Sequence, residues 1–440
     1  MQKLSLFRLI FFGSRWLHER LSATGLALVI MTAFAGALGL NTETNLAHMV
    51  FALGFCFIAV DAGVLLLQRW RMPPLSARRH LPEFVTVGEP LRYRVSLRND
   101  GKRPSRVGLL AERMLQGWPT ALPSQQPKRR PRMSYPAFLQ RLRRLRALDV
   151  QWVAVARLLP GQSCEVALPA LPTARGVASF QSLRLVLNGP LGLAQWPVPV
   201  TVASARLVVL PRRHALDLPP AIGHRLLEPR GIALAQRVGD AEEFRSLRDY
   251  RPGDPMRSIH WRSFARTGKP VVREFQEEFF SRHTLVLDTA SAQADSPAFE
   301  LAVSMAAWLV VRPREGDSLL DLLFVGDRVH RVTSGRSLGG ADSLLRVLAT
   351  VAPTPADSIG AVLATLERNA AQVSSVVAIF QVWDPPRQAA VRRLMARGLR
   401  PTVLVVDTTG QVPPEPDEAA FVGIVRRVAV AVMPLGAMGV

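Results

Sequence analysis

The densest concentration of chemically capable side chains lies between Gly239 and Glu278. His260 stands beside Trp261, with the carboxylates Asp249 and Asp254 a short way upstream. Histidine near a carboxylate is a pairing that acid–base catalysis uses. A lone histidine without a nucleophile or a metal-ligand spacing beside it is more often a hydrogen-bonded structural residue. Within Asp240–Glu278, eight basic residues (Arg245, Arg248, Arg251, Arg257, Arg262, Arg266, Lys269, Arg273) are matched by eight acidic ones (Asp240, Glu242, Glu243, Asp249, Asp254, Glu274, Glu277, Glu278). A balanced segment is not a plain anion-binding strip; its charges pair with one another or with a charged partner. Arg251-Pro252-Gly253-Asp254 reads as a turn, because proline presets φ and glycine accepts conformations other residues avoid. Asp254 or Ser258 is then expected to cap a short helix through His260 and Trp261. Arginine and tryptophan are enriched at the energetic centres of interfaces. Candidate interaction residues are therefore Arg248, Tyr250, Arg251, Gly253, Asp254, Arg257, His260, Trp261, Arg262, Arg266, Arg273 and Glu274. In the competing reading Trp261 is buried and the charges pair internally.

Elsewhere the sequence mostly excludes. It has no Gly-x-x-x-x-Gly-Lys-Ser/Thr phosphate loop, so the chain is not expected to hydrolyse ATP. No nucleophile elbow, zinc spacing or cofactor fingerprint is present, and no catalytic or cofactor-binding residue is assigned. Cys56 and Cys164 make neither a disulfide framework nor a metal quartet. The net charge of +21 over 440 residues favours anionic partners; an arginine-rich, high-GC genome explains the same bias. No recognition helix, finger or stacking pattern points to nucleic acid.

The elements that must position this segment begin at a membrane. Residues 1–22 form a basic amphipathic stretch with Lys3, Arg8, Arg15, Trp16 and Arg20. Ala23–Leu40 has no charged residue, and Leu46–Leu67 is interrupted only by His48 and Asp61. A two-helix transmembrane hairpin over 23–67 is expected. Arg69, Arg71, Arg78 and Arg79 follow it, while the intervening loop carries Glu43 and no basic residue. The positive-inside rule then places both termini in the cytoplasm, as a two-pass protein of the inner membrane. Asp61, close to the end of the second span, is read as structural in preference to a proton relay.

From Pro73 to Pro211 the period changes to two. Leu91, Tyr93, Val95 and Leu97 alternate with Arg92, Arg94, Ser96 and Arg98, a half-buried strand. Further strands are expected near Arg106–Glu112, Gln151–Leu159, Ser163–Leu168, Leu183–Leu187 and Arg206–Leu210, as in an immunoglobulin-like sandwich. A basic insertion, 123–147, interrupts it. Its residues Arg129, Arg130, Arg132, Arg141, Arg143 and Arg144 are candidates for anionic-lipid contact, with a solvated loop as the alternative. After a linker, 212–238, and the charged segment, 239–281, the region 282–440 alternates strands and helices, with helices expected at Pro297–Val311 and Ala341–Thr350 and a buried strand at Ser375–Phe380. That order predicts a mostly parallel sheet covered on both faces.

The segment Gly239–Glu278 resembles the signature of the domain of unknown function 58 family. Arg175-Gly176, Gly189-Pro190-Leu191-Gly192-Leu193 and Asn41-Thr42-x-x-Asn45 look like other parts of that family's pattern. The family usually has aspartate and phenylalanine around the Gly-Leu turn, where this chain has Asn188 and Leu191. The resemblance implies an α+β multidomain protein: a hairpin anchor, a sandwich and a C-terminal α/β von Willebrand factor A-like domain. Such domains often hold magnesium through Asp-x-Ser-x-Ser at the end of the first strand. Here Asp288-Thr289-Ala290-Ser291-Ala292 keeps only the aspartate, leaving Asp288 and Asp384 as weak candidates for a degenerate site. No cofactor is expected. The resemblance also implies a partner, a MoxR-type AAA ATPase, and a role as a membrane-tethered interaction or assembly factor that is not itself an enzyme. The alternatives are a metal-dependent ligand-binding protein or an enzyme using His260.

Overall fold

A computed structural model gives the fold. It describes residues 13–38 (without 15 and 18), 45–113, 148–216, 242–254, 256–277, 281–291, 296–312, 318–335, 339–354, 359–399, 401–407, 421 and 424–429. Lys3, Arg8, Arg15, Glu43, the basic insertion with its six arginines, and most of the linker lie outside the described residues. The chain divides into two units, Met1–Pro211 and Arg212–Val440.

In the first unit, helices α1 (Ala23–Leu38) and α2 (Asn45–Trp70) pack against each other. The stretch Leu46–Trp70 is long and apolar enough to cross a membrane. At ~1.5 Å per residue α1 is roughly 24 Å long, shorter than the usual hydrocarbon core. Leucines, phenylalanines and methionines on both helices are exposed. Water does not favour such a surface over so long a stretch.

Among the described residues eleven strands follow: β1 (Leu75–His80), β2 (Phe84–Thr86), β3 (Leu91–Asn99), β4 (Gly108–Arg113), β5 (Leu148–Val150), β6 (Val153–Val155), β7 (Ser163–Pro172), β8 (Gly176–Phe180), β9 (Ser182–Asn188), β10 (Gln195–Val202) and β11 (Ala205–Leu210). One sheet runs β5-β7-β3-β1-β10-β9-β4-β6 and another β2-β11-β8. β3 and β4 stand four places apart in the larger sheet, yet the Tyr93 hydroxyl donates to Glu112 Oε2 at 3.2 Å. Tyr93 also packs edge-on to Phe180 of β8. The larger sheet therefore folds back over its own face and closes a β-sandwich with the smaller one. Tyr93, Val95 and Leu97 point into that core, as the period of two predicts.

Several sequence expectations change here. The strand expected over Gln151–Leu159 is reduced to Val153–Val155. Arg79, read as a membrane-flanking cation, is instead buried in the sandwich, 2.5 Å from Glu112. Burial pushes the Glu112 carboxyl up, against the opposing pull of Arg79. β10 carries Pro197 and Pro199, and this hid it from pattern reading. It is tolerated because β1 pairs with β10 only at Thr201 and Val202, leaving one side of the proline stretch without a partner strand.

Asp61 joins helix to sandwich. Fully buried, it accepts the backbone N–H groups of Leu191 (2.6 Å), Leu193 (3.0 Å) and Ala194 (2.6 Å). A Cβ on Gly189 would collide with the Asp61 carboxylate, so the glycine there permits the approach. The Ser22 N–H closes the same turn from the other side, donating to the Leu193 carbonyl at 3.0 Å. Leu65, one helical turn past Asp61, enters the sandwich core. The Gly189–Leu193 turn thus receives a structural carboxylate from the second helix.

The second unit contains the hairpin β12 (Glu242–Asp249) and β13 (Val271–Glu277), with helix α3 (Trp261–Thr267) between its strands. Beyond it, β14 (Ser281–Leu287), β15 (Ser318–Val325), β16 (Val329–Ser334), β17 (Ser375–Phe380), β18 (Thr402–Asp407) and β19 (Val425–Ala429) form one sheet, ordered β16-β15-β14-β17-β18-β19. Only the edge strand β16 is antiparallel. Val286, Leu323, Ala378, Val403 and Val405 share a core with helices α6 (Ile359–Arg368) and α7 (Pro385–Ala396). The alternate buried residues Leu285, Leu287, Leu322 and Ile379 point to the opposite face. Helix α4 (Pro297–Val311), which packs on β14, β17 and β18, buries seven residues and lies beside α5 (Ala341–Thr350). Strand β19 escaped the sequence reading; its Arg426-Arg427 pair breaks the apolar run that marks a buried strand.

Candidate interaction site

Between β12 and β13 the chain leaves the ladder at Asp249 and returns at Val271. Gly253 adopts φ 106°, the left-handed side that the Pro-Gly turn anticipates. Asp254 locks that turn. It takes two hydrogen bonds from Arg248, at 2.8 Å each, and the Arg251 N–H at 2.9 Å. The Arg248 hydrogen bonds, followed by that amide, hold the Asp254 carboxyl down at about 2. Asp254 therefore does not cap the helix, and neither does Ser258: α3 begins after His260 without a side-chain cap. The reason is position: the cap place falls on His260, six residues past Asp254 and two past Ser258. Ser258 lies in a 3-10 turn, Met256–Ser258.

His260 is tied down locally. Its backbone N–H donates to Val271 O at 2.8 Å, and its ring Nδ1 lies 2.7 Å from Ser263 Oγ. Ile259 and Val272 are buried beneath it and bridge the turn to β13. No group of three or more His, Cys, Asp or Glu side chains suited to a metal occurs among the described residues.

The outer face has a different character. Trp261 is 57 % exposed and packs edge-on to Phe264, itself exposed. Met256, 69 % exposed, precedes them, and Arg251, Arg262, Arg266, Lys269 and Arg273 are exposed around the same excursion. Tyr250 is half-buried, Arg257 lies on the 3-10 turn and Glu274 on β13. The candidate residues thus divide: Arg248, Gly253, Asp254 and His260 build the turn, whereas Trp261, Arg262 and Arg266 project from it. Sequence reasoning missed Met256 and Phe264. The only signal for them was their spacing around Trp261.

Asp288 and Asp384 come together at the place where strand order reverses, between β14 and β17. In open α/β sheets ligands bind outside the carboxyl ends of the strands at such a point. Here Arg387 fills the position. Its Nη2 and Nε lie 2.6 and 2.9 Å from Asp288 Oδ2, and its Nη1 lies 2.5 Å from Asp384 Oδ2. Asp288 and Arg387 are both buried. The Ala290 N–H takes Asp288 Oδ1, and Gln381 donates to the carbonyls of Asp288 and Ala290. Asp384 also caps α7, accepting the Arg387 N–H. Burial pushes the Asp288 carboxyl up, while Arg387 works in the opposite sense. The sequence reading did not single out Arg387; the Asp-Pro-Pro-Arg spacing, one helical turn, was its available signal.

No curated protein matches the chain. Among solved structures it is similar to the manganese-loaded TRAP protein of Plasmodium vivax, at 14% identity over 34% of this chain and 68% of that one, TM-score 0.25. It is similar to proximal thread matrix protein 1 of the mussel byssus, at 16% identity over 29% and 36%, TM-score 0.23. A third is the CARDB domain of a Pyrococcus furiosus protein in complex with di-metal ions, at 12% identity over 30% and 90%, TM-score 0.16. TM-scores this low bear on neither fold nor function. The turn, α3 and most of the parallel sheet fall within a single match: residues 246–424 are similar to the family described as Protein of unknown function DUF58.

Proposed function

We propose that this chain is a membrane-tethered interaction factor that docks a protein partner through the β12–β13 excursion and is not itself an enzyme. The observation that carries this reading is the exposure of Trp261, Phe264 and Met256 among Arg251, Arg262 and Arg266, on a turn held by the Arg248–Asp254 pair. An aromatic anchor ringed by arginines on a fixed support suits an interface. The partner in this reading is a MoxR-type AAA ATPase, which would supply the hydrolysis this chain has no phosphate loop to perform, in complex assembly or maturation. The anchor is a two-pass hairpin in the inner membrane with both termini cytoplasmic. The sandwich is immunoglobulin-like, and the C-terminal domain is von Willebrand factor A-like, with its cation position taken by Arg387.

Capture of the ATPase by the full chain tests the proposal. Trp261→Ala and Arg262→Ala should abolish capture while changing stability by less than about 0.5 kcal/mol, as befits exposed sites. Normal capture by both variants would remove the excursion from the interface. A metal-dependent reading is disfavoured by the guanidinium between Asp288 and Asp384. An enzymatic reading through His260 is disfavoured by the partner of its ring Nδ1, a serine hydroxyl and not a carboxylate.

A further inference from the structure

Where α2 leaves the apolar zone, the first unit gathers guanidinium groups around one indole ring. Trp196, at the start of β10, lies between two arginines. The guanidinium carbon of Arg20 is 3.4 Å from the ring centre and that of Arg69 is 4.4 Å from it. Each contact is a favourable cation–π interaction. The two cations nevertheless repel: burial, and next the charge of Arg69, lower the proton affinity of Arg20. Arg184 of β9 adds a third guanidinium to the same neighbourhood. Its partner is Glu19, at 3.2 Å. Three guanidiniums thus share one neighbourhood, where Glu19 pairs with Arg184. Moreover, Arg20 Nη1 is buried with no hydrogen-bond partner among the described residues. A buried donor on a charged group is costly without an acceptor.

The depth of this cluster indicates which anion it would meet. The helix meets the sandwich at Asp61, roughly 24 Å past Asn45, and Arg69 lies about 12 Å further along, at the depth of the headgroup layer. Trp16 and Trp70, both exposed, flank the arginines in sequence, and tryptophan favours that layer.

We infer that Arg20, Arg69 and Arg184 around Trp196 bind the phosphodiester of an anionic phospholipid headgroup. The inference rests on reading α2 as a membrane-crossing helix. Guanidinium forks match phosphate oxygens in charge and geometry. The site uses no residue of the basic insertion or of the β12–β13 excursion.

Native mass spectrometry of the full chain in mild detergent tests it, with phosphatidylglycerol and phosphatidylcholine as probes. The wild type should prefer phosphatidylglycerol by about tenfold or more. Arg20→Gln with Arg69→Gln should erase the preference, and Arg20→Lys with Arg69→Lys should retain most of it. Equal binding of the two lipids by the wild type overturns the proposal and needs no folded variant. A preference that survives in the glutamine variant also overturns it. So does displacement of phosphatidylglycerol by millimolar inorganic phosphate, which would mark a site for free phosphate. Carbonate extraction of membranes reports separately on the anchor. Release of the chain there would refute the membrane-crossing reading, whereas retention combined with equal lipid binding would refute only the headgroup site.

Discussion

Arg387 holds Asp288 by two hydrogen bonds at the carboxyl end of the central strand β14, and both side chains are buried. The guanidinium supplies there the positive charge that a divalent ion supplies in a hard-metal site. Removing it strands a buried carboxylate, which costs about 3–5 kcal/mol. Arg387→Ala should therefore lower the denaturation midpoint of the full chain strongly. Calorimetry on the wild type should detect no magnesium binding tighter than millimolar. Micromolar binding lost in Asp288→Ala would show that the arginine yields to metal.

Asp61 is expected to behave as a structural carboxylate. In Asp61→Ala the amides of Leu191, Leu193 and Ala194 lose their common acceptor, at a cost of about 2–4 kcal/mol. Asp61→Asn keeps one acceptor oxygen and should cost less. Thermal melts of the detergent-solubilised chain check this, and an unchanged midpoint for Asp61→Ala would refute the role.

Asp254 gives a signed pH dependence. Its folded value, about 2, lies below the ordinary 3.8 because Arg248 and the Arg251 amide favour the charged form. A depressed carboxyl adds stability that is complete above the unfolded value and is lost as pH falls through the folded one. The turn should thus loosen between about pH 4 and 2. Carboxyl carbon shifts should show the Asp254 midpoint near 2, and Arg248→Gln should return it toward 3.8.

Topology is testable by reporter fusion. A cytoplasmic reporter should be active after Val440 and inactive after Thr44. A C-terminal reporter active only outside the cytoplasm would overturn the two-pass orientation and, with it, access to a cytoplasmic ATPase.

Local patterning carried much of the fold. Pro297–Val311, Ala341–Thr350 and Ser375–Phe380 begin and end in the structure where sequence reading placed them, because each is a periodic run bounded by a turn or cap signal. Alternation likewise located Tyr93, Val95 and Leu97 in a core. β10 was not legible, because its tolerance of Pro197 and Pro199 depends on how little of it β1 pairs with.

The sequence by itself determined the apolar helices, the alternating strands, the strand–helix order of the second unit and the Pro-Gly turn. Each follows from the preferences of neighbouring residues. Only the tertiary structure decided which charges find one another. It took Asp61 to amides 130 residues away, Arg387 to Asp288 across 99, and Arg79 into a core with Glu112. It also left Trp261 outside while burying Ile259 beneath it. Composition fixes how many charges a chain has. Which of them are desolvated, and opposite what, depends on contacts between distant strands, where a lowered dielectric turns a generic charge into a specific partner.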